Sequence, residues 1–430
     1  MKPVSYGPGE LLLAAYRRSG PVINAGIGRH GLVYLLGAKA NKFVFANADA
    51  FSWRETFENL APVDGPTALI VSDGEDHRRR RSVVAPGLRH SQIRDYVQAM
   101  VSAVDAMIDA WRPGQQLDIY QEFRSTVRRS TAESLFGSRM AAHAEFLGEQ
   151  LQPLLQLTHR PPQVMRLQRR FNSPGWRRAM VARRRIDDLM DAEIADARAR
   201  PRPDDHMLTM LLNGRSEEGQ TLGDNEIRDQ IVSMITAGYE TTSAALAWAA
   251  YTLLSLPGAW DGAADEVDRT LGSRAPTARD LPSLIYLNGV VHETLRLYSP
   301  AVISARRVMR DVQFDVHRIR AGRMIVFSAY VTHRTAEIWA EPTEFRPQRW
   351  DPAAPDYRKP APHEFIPFSG GLHRCIGAVM AITEMTVMLA RLVARTELRL
   401  PAQRIRAANF AALSPKPGLT VEVRASVPAQ

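Results

Sequence analysis

Apolar residues recur every three to four positions along most of this chain, the spacing of helices that bury one face. That spacing dominates from about residue 76 to 300, interrupted by turn clusters such as RPRPDD at 200–205 and LPG at 256–258. A proline-free run opening at Asp224, a residue suited to capping, predicts a helix to about Leu256. Earlier in the chain, GLVYLLG at 31–37 and KFVFA at 42–46 are rich in aromatic and β-branched residues and predict strands. A second strand-like patch covers Val312–Phe314 and Met324–Ala329, and helical spacing returns over Ala378–Arg395. Small β pieces drawn from distant stretches of a mainly α chain predict one intertwined domain over residues 1–430.

Composition narrows the class. The 430 residues are 45% hydrophobic and 23% charged, which excludes a disordered or collagen-like chain. A single cysteine excludes a disulfide framework, a multi-cysteine zinc site and a protein-ligated iron–sulfur cluster within one chain. The first twenty residues lack the pattern of a secretory signal, and the apolar run Leu11–Tyr16 is too short to span a bilayer. The expectation is a soluble cytoplasmic protein without a membrane anchor.

The net charge is +9, and only five of the 55 basic residues are Lys. Such a surface could meet nucleic acid, an anionic membrane or an acidic protein. The basic runs at 77–81, 166–170 and 183–185 are scattered and not interleaved with aromatics, so a solvated Arg face is favoured and no nucleic-acid partner is expected. Gly26, Gly28 and Gly31 fit the G-x-G-x-x-G spacing, with Asp49 near the place of a ribose-binding acid. That motif needs a helix opening onto the pyrophosphate, whereas a strand-like run follows, so a hairpin turn is expected instead.

The lone Cys375 stands in FSGGLHRCIG at 368–377. A lone cysteine is ordinarily a small buried hydrophobe. Here two glycines allow close backbone approaches, His373 and Arg374 add positive potential, and a helix follows whose N-terminus favours a thiolate. A thiolate on a glycine ledge suits axial ligation of a flat iron macrocycle. Phe368, Gly371, His373, Cys375 and Gly377 resemble the F-x-x-G-x-H/R-x-C-x-G loop of the cytochrome P450 superfamily.

Three further motifs occur in that family's order. Ala237-Gly238-Tyr239-Glu240-Thr241-Thr242 places an acid and an alcohol side by side within the long helix, where glycine and threonine weaken the helix; the segment reads either as a polar stripe facing a neighbouring helix or as a local groove opened in the helix. It resembles the oxygen-activation motif, implying that Thr241 hydrogen-bonds bound dioxygen, that Glu240 relays protons, and that Ala237, one turn earlier, borders haem and substrate. Glu293 and Arg296 lie three apart amid apolar residues and resemble E-x-x-R, whose third member is implied to be Arg349 in FRPQRW at 345–350. This triad is assigned to folding and support of the cysteine loop. His77 and Arg81 share one helix face and match H-x-x-x-R; with Arg306 (or Arg307, if the alignment slips by one) and His373 they are implied to hold the haem propionates. Arg78 and Arg79 would then point elsewhere, available to an acidic ferredoxin.

The resemblance implies a mainly α, cytochrome P450-like fold, with small β-sheets near the N-terminus and after the E-x-x-R helix. It implies haem b ligated by Cys375, O2 as co-substrate, and electrons from NAD(P)H through a separate ferredoxin reductase and ferredoxin. The lack of an anchor fits the family's soluble bacterial branch. Val302, Ile303, Ser304 and Phe410 stand where family members line the substrate site, as do stretches around 51–70 and 150–185; their apolar character points to a lipophilic substrate, with fatty acyl, polyketide, terpenoid and sterol skeletons all open. Arg166, Arg169 and Arg170 could meet a carboxylate or phosphate, though solvation is favoured. Peroxide-driven oxidation or oxidative coupling on the same fold would not need the acid–alcohol pair. A haem sensor or carrier without turnover is the reading from a different class.

Overall fold

A computed structural model describes residues 3–26, 31–158, 162–202, 206–409 and 412–426. The chain divides into two compact units, one built from residues 1–53, 104–123 and 241–430 and the other from residues 54–103 and 124–240.

The first unit holds the strands. Val22–Ala25 and Leu32–Leu35 pair antiparallel, with Ala25 opposite Leu32 and Gly26 at φ +83° leading out of the first strand. This is the hairpin expected around the glycine motif, although residues 27–30 lie outside the described residues. Leu32–Leu35 then runs parallel to Met324–Phe327, which pairs antiparallel with Ser304–Val308, and Phe51–Ser52 closes the far edge. Val33, Leu35, Ile325 and Phe327 are buried with Val44 and Phe51 in one apolar cluster.

KFVFA is not a strand. It closes the helix Ala38–Ala46, which buries Ala40, Asn41 and Val44 at helical spacing and packs Phe43 and Phe45 on the same cluster. The Asn41 amide donates to Thr332 Oγ1 and the His363 carbonyl, both at 3.0 Å, anchoring the helix from its buried face. Tertiary burial thus outweighs β propensity.

The second unit is helical among its described residues. Leu147, Leu151 and Leu154 on the helix Ala144–Thr158 and Ile186 and Met190 on Pro174–Ala199 are buried, as are Val232 and Ile235 on Asp224–Ser255. That last helix is continuous through residues 237–242. Thr236 donates its hydroxyl to the Val232 carbonyl at 2.8 Å, one turn back, which satisfies the buried group locally.

The support for the cysteine loop lies wholly in the first unit. Glu293 and Arg296, on Ile285–Leu297, are fully buried and paired through two bonds of 2.8 and 2.7 Å. Arg349 Nε (3.1 Å), Trp350 Nε1 (2.9 Å) and the Arg346 amide (2.9 Å) also donate to Glu293. Gly289 admits this segment, since a Cβ there would fall 2.5 Å from the Pro347 carbonyl oxygen. Arg296 in turn donates to the carbonyls of His333 (2.6 Å), Pro342 (2.8 Å) and Glu344 (2.8 Å). His333 carries the network onward. Its Nδ1 lies 2.9 Å from the Arg296 carbonyl, and its Nε2 accepts from the Ile366 amide at 2.8 Å, which fixes a neutral ring with the proton on Nδ1. The Ile366 carbonyl accepts from Ser369 N–H at 3.1 Å, inside the loop that ends at Cys375.

Two outcomes follow from this network. Burial, then the Arg296 charge, push the His333 pKa down to about 3. The unfolded ring takes a proton below about 6.5 while the folded ring does not, so stability should fall as pH drops from about 6.5 toward 3. Burial would raise the Glu293 carboxyl, but Arg296 and Arg349 more than offset it and hold it below its ordinary value, which adds a further loss at the acid end. Urea melts across that range should show the slope, and His333→Gln should flatten its upper part. Glu293→Gln, which removes the anion shared by the buried Arg296 and the half-buried Arg349, should cost about 3–5 kcal/mol at neutral pH in the same melts.

Candidate functional site

The cysteine loop is shaped by its backbone. Cys375 N–H donates to the Phe368 carbonyl at 2.9 Å and Arg374 N–H to Gly371 at 3.1 Å, while Ser369 (φ +57°) and Gly371 (φ +66°) take left-handed conformations. A Cβ on Gly370 would lie 2.4 Å from the Phe45 ring, and one on Gly371 3.0 Å from the Phe45 carbonyl oxygen. Glycine is therefore required where the loop crosses the helix Ala38–Ala46. Cys375 is exposed, and three residues later the helix Ala378–Arg395 begins, with Gly377 as its N-cap. The free N–H groups of that helix end favour negative charge nearby.

Beside the loop stands a stack of three side chains. The His373 ring lies on the Trp53 indole with centroids 4.8 Å apart and planes 6° apart, and the Arg306 guanidinium covers Trp53 at 3.9 Å. Arg306 is also held by Ser304 Oγ at 2.9 Å. A small cavity is lined by Val44, Phe45, Phe51 and Gly370 together with Arg306 and His373. Arg307, next on the strand, instead donates to the Gly322 carbonyl at 2.8 Å. The alternation of side chains along a strand thus gives the two arginines different surroundings. Trp53 carries no motif, and its only sequence signal is its place just after the strand-forming pair Phe51–Ser52.

In the second unit, His77 (buried) and Arg81 (half-buried) lie one turn apart on the helix Gly74–Val84. Arg79 does not point outward as expected. It pairs with Glu226 and donates to the Thr221 carbonyl at 3.3 Å, and Arg80 joins it on Glu226 at 2.9 Å. Glu226, an acid in the first turn of the long helix, draws both of these neighbouring cations inward. Arg78 is exposed, 3.6 Å from Glu75.

Further along the long helix, Glu240 is buried and ion-paired with Arg124, whose guanidinium also stands 5.6 Å from the Tyr239 ring centroid. Burial, then the neighbouring Glu240 charge, raise the Tyr239 phenol well above its ordinary value, so it stays protonated. Arg124 escaped the sequence reading because it lies 116 positions from its partner, on Ile119–Ala141. Most residues from 231 to 250 are buried, but Ala237 is exposed, and Gly238 and Thr241 are partly so. They form one uncovered stripe on the helix, one turn in length. Of the residues expected at a substrate pocket, Val302 is buried, Ser304 half-buried and Ile303 52% exposed; Phe410 lies outside the described residues.

These residues suit iron protoporphyrin. An exposed thiol at a helix N-terminus offers an axial ligand, the glycine ledge leaves room for a flat ring, and the Arg306 guanidinium and the His373 ring offer N–H donors to carboxylates. Among the described residues no group of His, Cys, Asp and Glu could hold a bare metal ion, and no helix is long and apolar enough to cross a membrane. A sequence model of the cytochrome P450 family matches residues 7–423. The chain is 76% identical over 428 residues to a protein of Mycobacterium tuberculosis named cytochrome P450 139, covering 99% of this chain and all of that one. It is 31% identical to the cyclooctat-9-en-7-ol 5-monooxygenase of Streptomyces melanosporofaciens, covering 83% and 78% of the two chains. In fold it superimposes on the retinoic-acid-bound cyanobacterial CYP120A1 with a TM-score of 0.85 at 23% identity, over 99% of each chain. By sequence along nearly its whole length and by fold, the chain belongs to the cytochrome P450 family of monooxygenases.

Proposed function

We propose that this chain, acting as a single P450-like domain over residues 1–430, inserts one oxygen atom from O2 into a lipophilic small molecule in the cytoplasm. In the same reading, NAD(P)H supplies electrons through a separate ferredoxin reductase and ferredoxin. The observation that carries it is the exposed Cys375 thiol on a ledge where only glycine fits, beside the Arg306–Trp53–His373 stack. Bound haem b would supply the activation of dioxygen and the oxidation of an unactivated carbon.

The chain's own residues have separate tasks in this proposal. Cys375 binds the metal; Phe368, Gly371 and Gly377 shape its loop. His77, Arg81, Arg306 and His373 hold the propionates, and the different surroundings of Arg306 and Arg307 favour the former. On the uncovered stripe, Ala237 leaves space and Thr241 presents a hydroxyl that can donate or accept a proton. Glu240 brings protons to that hydroxyl, and Arg124 holds its carboxylate in place. The acid–alcohol pair favours monooxygenation over peroxide-driven oxidation, oxidative coupling or a silent sensor. For the substrate, the similarity to a cyclooctat-9-en-7-ol monooxygenase supports a carbocyclic, terpenoid-like molecule, with Val302, Ile303 and Ser304 against it.

The reduced, carbon monoxide-treated holoprotein should show the strongly red-shifted Soret band of a thiolate-ligated haem, and Cys375→Ser should abolish it; a wild-type band typical of nitrogen ligation would overturn the proposal. Thr241→Ala should keep the band yet lower product formed per electron consumed by roughly ten- to a hundredfold. Arg124→Gln should alter the solvent deuterium isotope effect on turnover, whereas Arg124→Lys, which keeps a cation, should retain the wild-type value.

A further inference from the structure

The positive charge of this protein is concentrated in one place. From Gln150 to Ile186 the sequence holds nine Arg and no Asp or Glu, so this stretch alone accounts for the net charge of +9; elsewhere 46 basic and 46 acidic residues cancel. Two helices occupy most of it, Pro162–Arg170 and Pro174–Ala199. A tight corner joins them: Phe171 N–H donates to Leu167 O at 2.9 Å, Ser173 N–H to Gln168 O at 3.0 Å, and Ser173 Oγ accepts from Trp176 N–H at 3.2 Å.

The Arg side chains divide by face. Arg183 turns inward and is buried against Asp187 and Asp229, at 2.8 Å each. Arg166, Arg169 and Arg170 on the first helix, and Arg177, Arg178, Arg184 and Arg185 on the second, are exposed, with no acidic partner among the described residues. Surface arginines elsewhere do find acids: Arg228 holds Asp191, Arg274 holds Asp280 and Arg318 holds Asp311. Set among the unpaired cations are apolar side chains in water. Leu167 is 54% and Phe171 73% exposed, four residues apart at the corner, and Val181 is 39% exposed between the arginine pairs of the second helix.

One-signed charge with protruding aliphatic and aromatic groups fits a particular kind of partner. A specific protein interface gains register from charges of both signs and centres its apolar groups within a polar rim. The first feature is missing here, since residues 150–186 hold no acid. A lipid surface needs no register: guanidinium groups bind phosphates bidentately, and Leu and Phe enter the acyl boundary beneath them. We propose that the corner between Pro162–Arg170 and Pro174–Ala199 docks reversibly on an anionic phospholipid bilayer, with Leu167 and Phe171 inserted and the flanking arginines on the headgroups. This association is peripheral, and it stands independently of the proposed reaction.

The test uses the purified full-length holoprotein and vesicles of equimolar phosphatidylglycerol and phosphatidylcholine, with pure phosphatidylcholine as the control. Sedimentation should show binding to the first, weakening as salt is raised, and little to the second. Replacing Arg166, Arg169 and Arg170 together by Gln should weaken binding by about a hundredfold. Leu167→Ser with Phe171→Ser should weaken it by roughly tenfold or more and leave a salt-sensitive remainder. Each variant should keep the wild-type melting temperature within a few degrees, since the altered side chains are exposed. Absence of binding to anionic vesicles, or binding indifferent to the Leu167 and Phe171 changes, would overturn the proposal. So would equal affinity for duplex DNA or polyglutamate, which would make the patch a general polyanion site or a protein-docking surface.

Discussion

A carboxylate with no exposed surface can keep its charge only if the protein replaces all the water it has lost. Glu293 imposes that demand on the first unit. Its oxygens collect donors from Arg296, Arg349, Trp350 and the Arg346 amide, and Arg296 spends its remaining N–H groups on three carbonyls between residues 333 and 344. Several stretches of chain with little regular structure are thereby pinned to one helix. Through His333 the same network reaches Ile366 and the cysteine loop. Buried ion pairs contribute little net stability compared with apolar packing, but breaking one is expensive. The value of this one lies in allowing few alternative arrangements of the residues around the thiol.

The preference for Arg over Lys has the same origin in part. A planar fork with five donors can satisfy several carbonyls and a carboxylate at once, which an ammonium cannot. Arg391 and Arg395 together bind Asp105, and Arg334 combines the Leu297 carbonyl at 2.6 Å with the Tyr330 ring at 3.6 Å. These arginines serve the interior and leave little trace in the surface potential. Composition alone therefore says little about partners, whereas position along the chain says more.

What was legible in the sequence, and what was not, follows a physical division. The cysteine loop, the Glu293–Arg296 pair and the acid–alcohol pair could be read because each sets residue types at short fixed spacings. The helix over Ala378–Arg395 could be read from periodicity, and the hairpin strand before Gly37 from its aromatic and β-branched residues. KFVFA could not, because burial of Asn41 and Val44 on one side decides its conformation, and that depends on partners more than 290 residues away. Trp53, Arg124 and His333 were missed for a related reason. Each acts through a residue far along the chain, and nothing local distinguishes it from an ordinary core or surface residue. Arg79 was misread because its acid, Glu226, lies 147 positions on.

The sheet of the first unit has a consequence for how the protein is made. Leu32 pairs in parallel with Met324, so the N-terminal hairpin cannot complete its sheet until nearly 300 further residues have been synthesised. At about 5–20 residues per second that interval is on the order of tens of seconds. Throughout it, one edge of Leu32–Leu35 presents unpaired backbone groups, and the buried faces of Val33 and Leu35 lack their cover. The second unit, drawn entirely from residues 54–240, is fully synthesised well before the strand arrives. Expression yield should thus depend on how the nascent N-terminal edge is shielded, a kinetic hazard that the stability of the finished protein does not reveal.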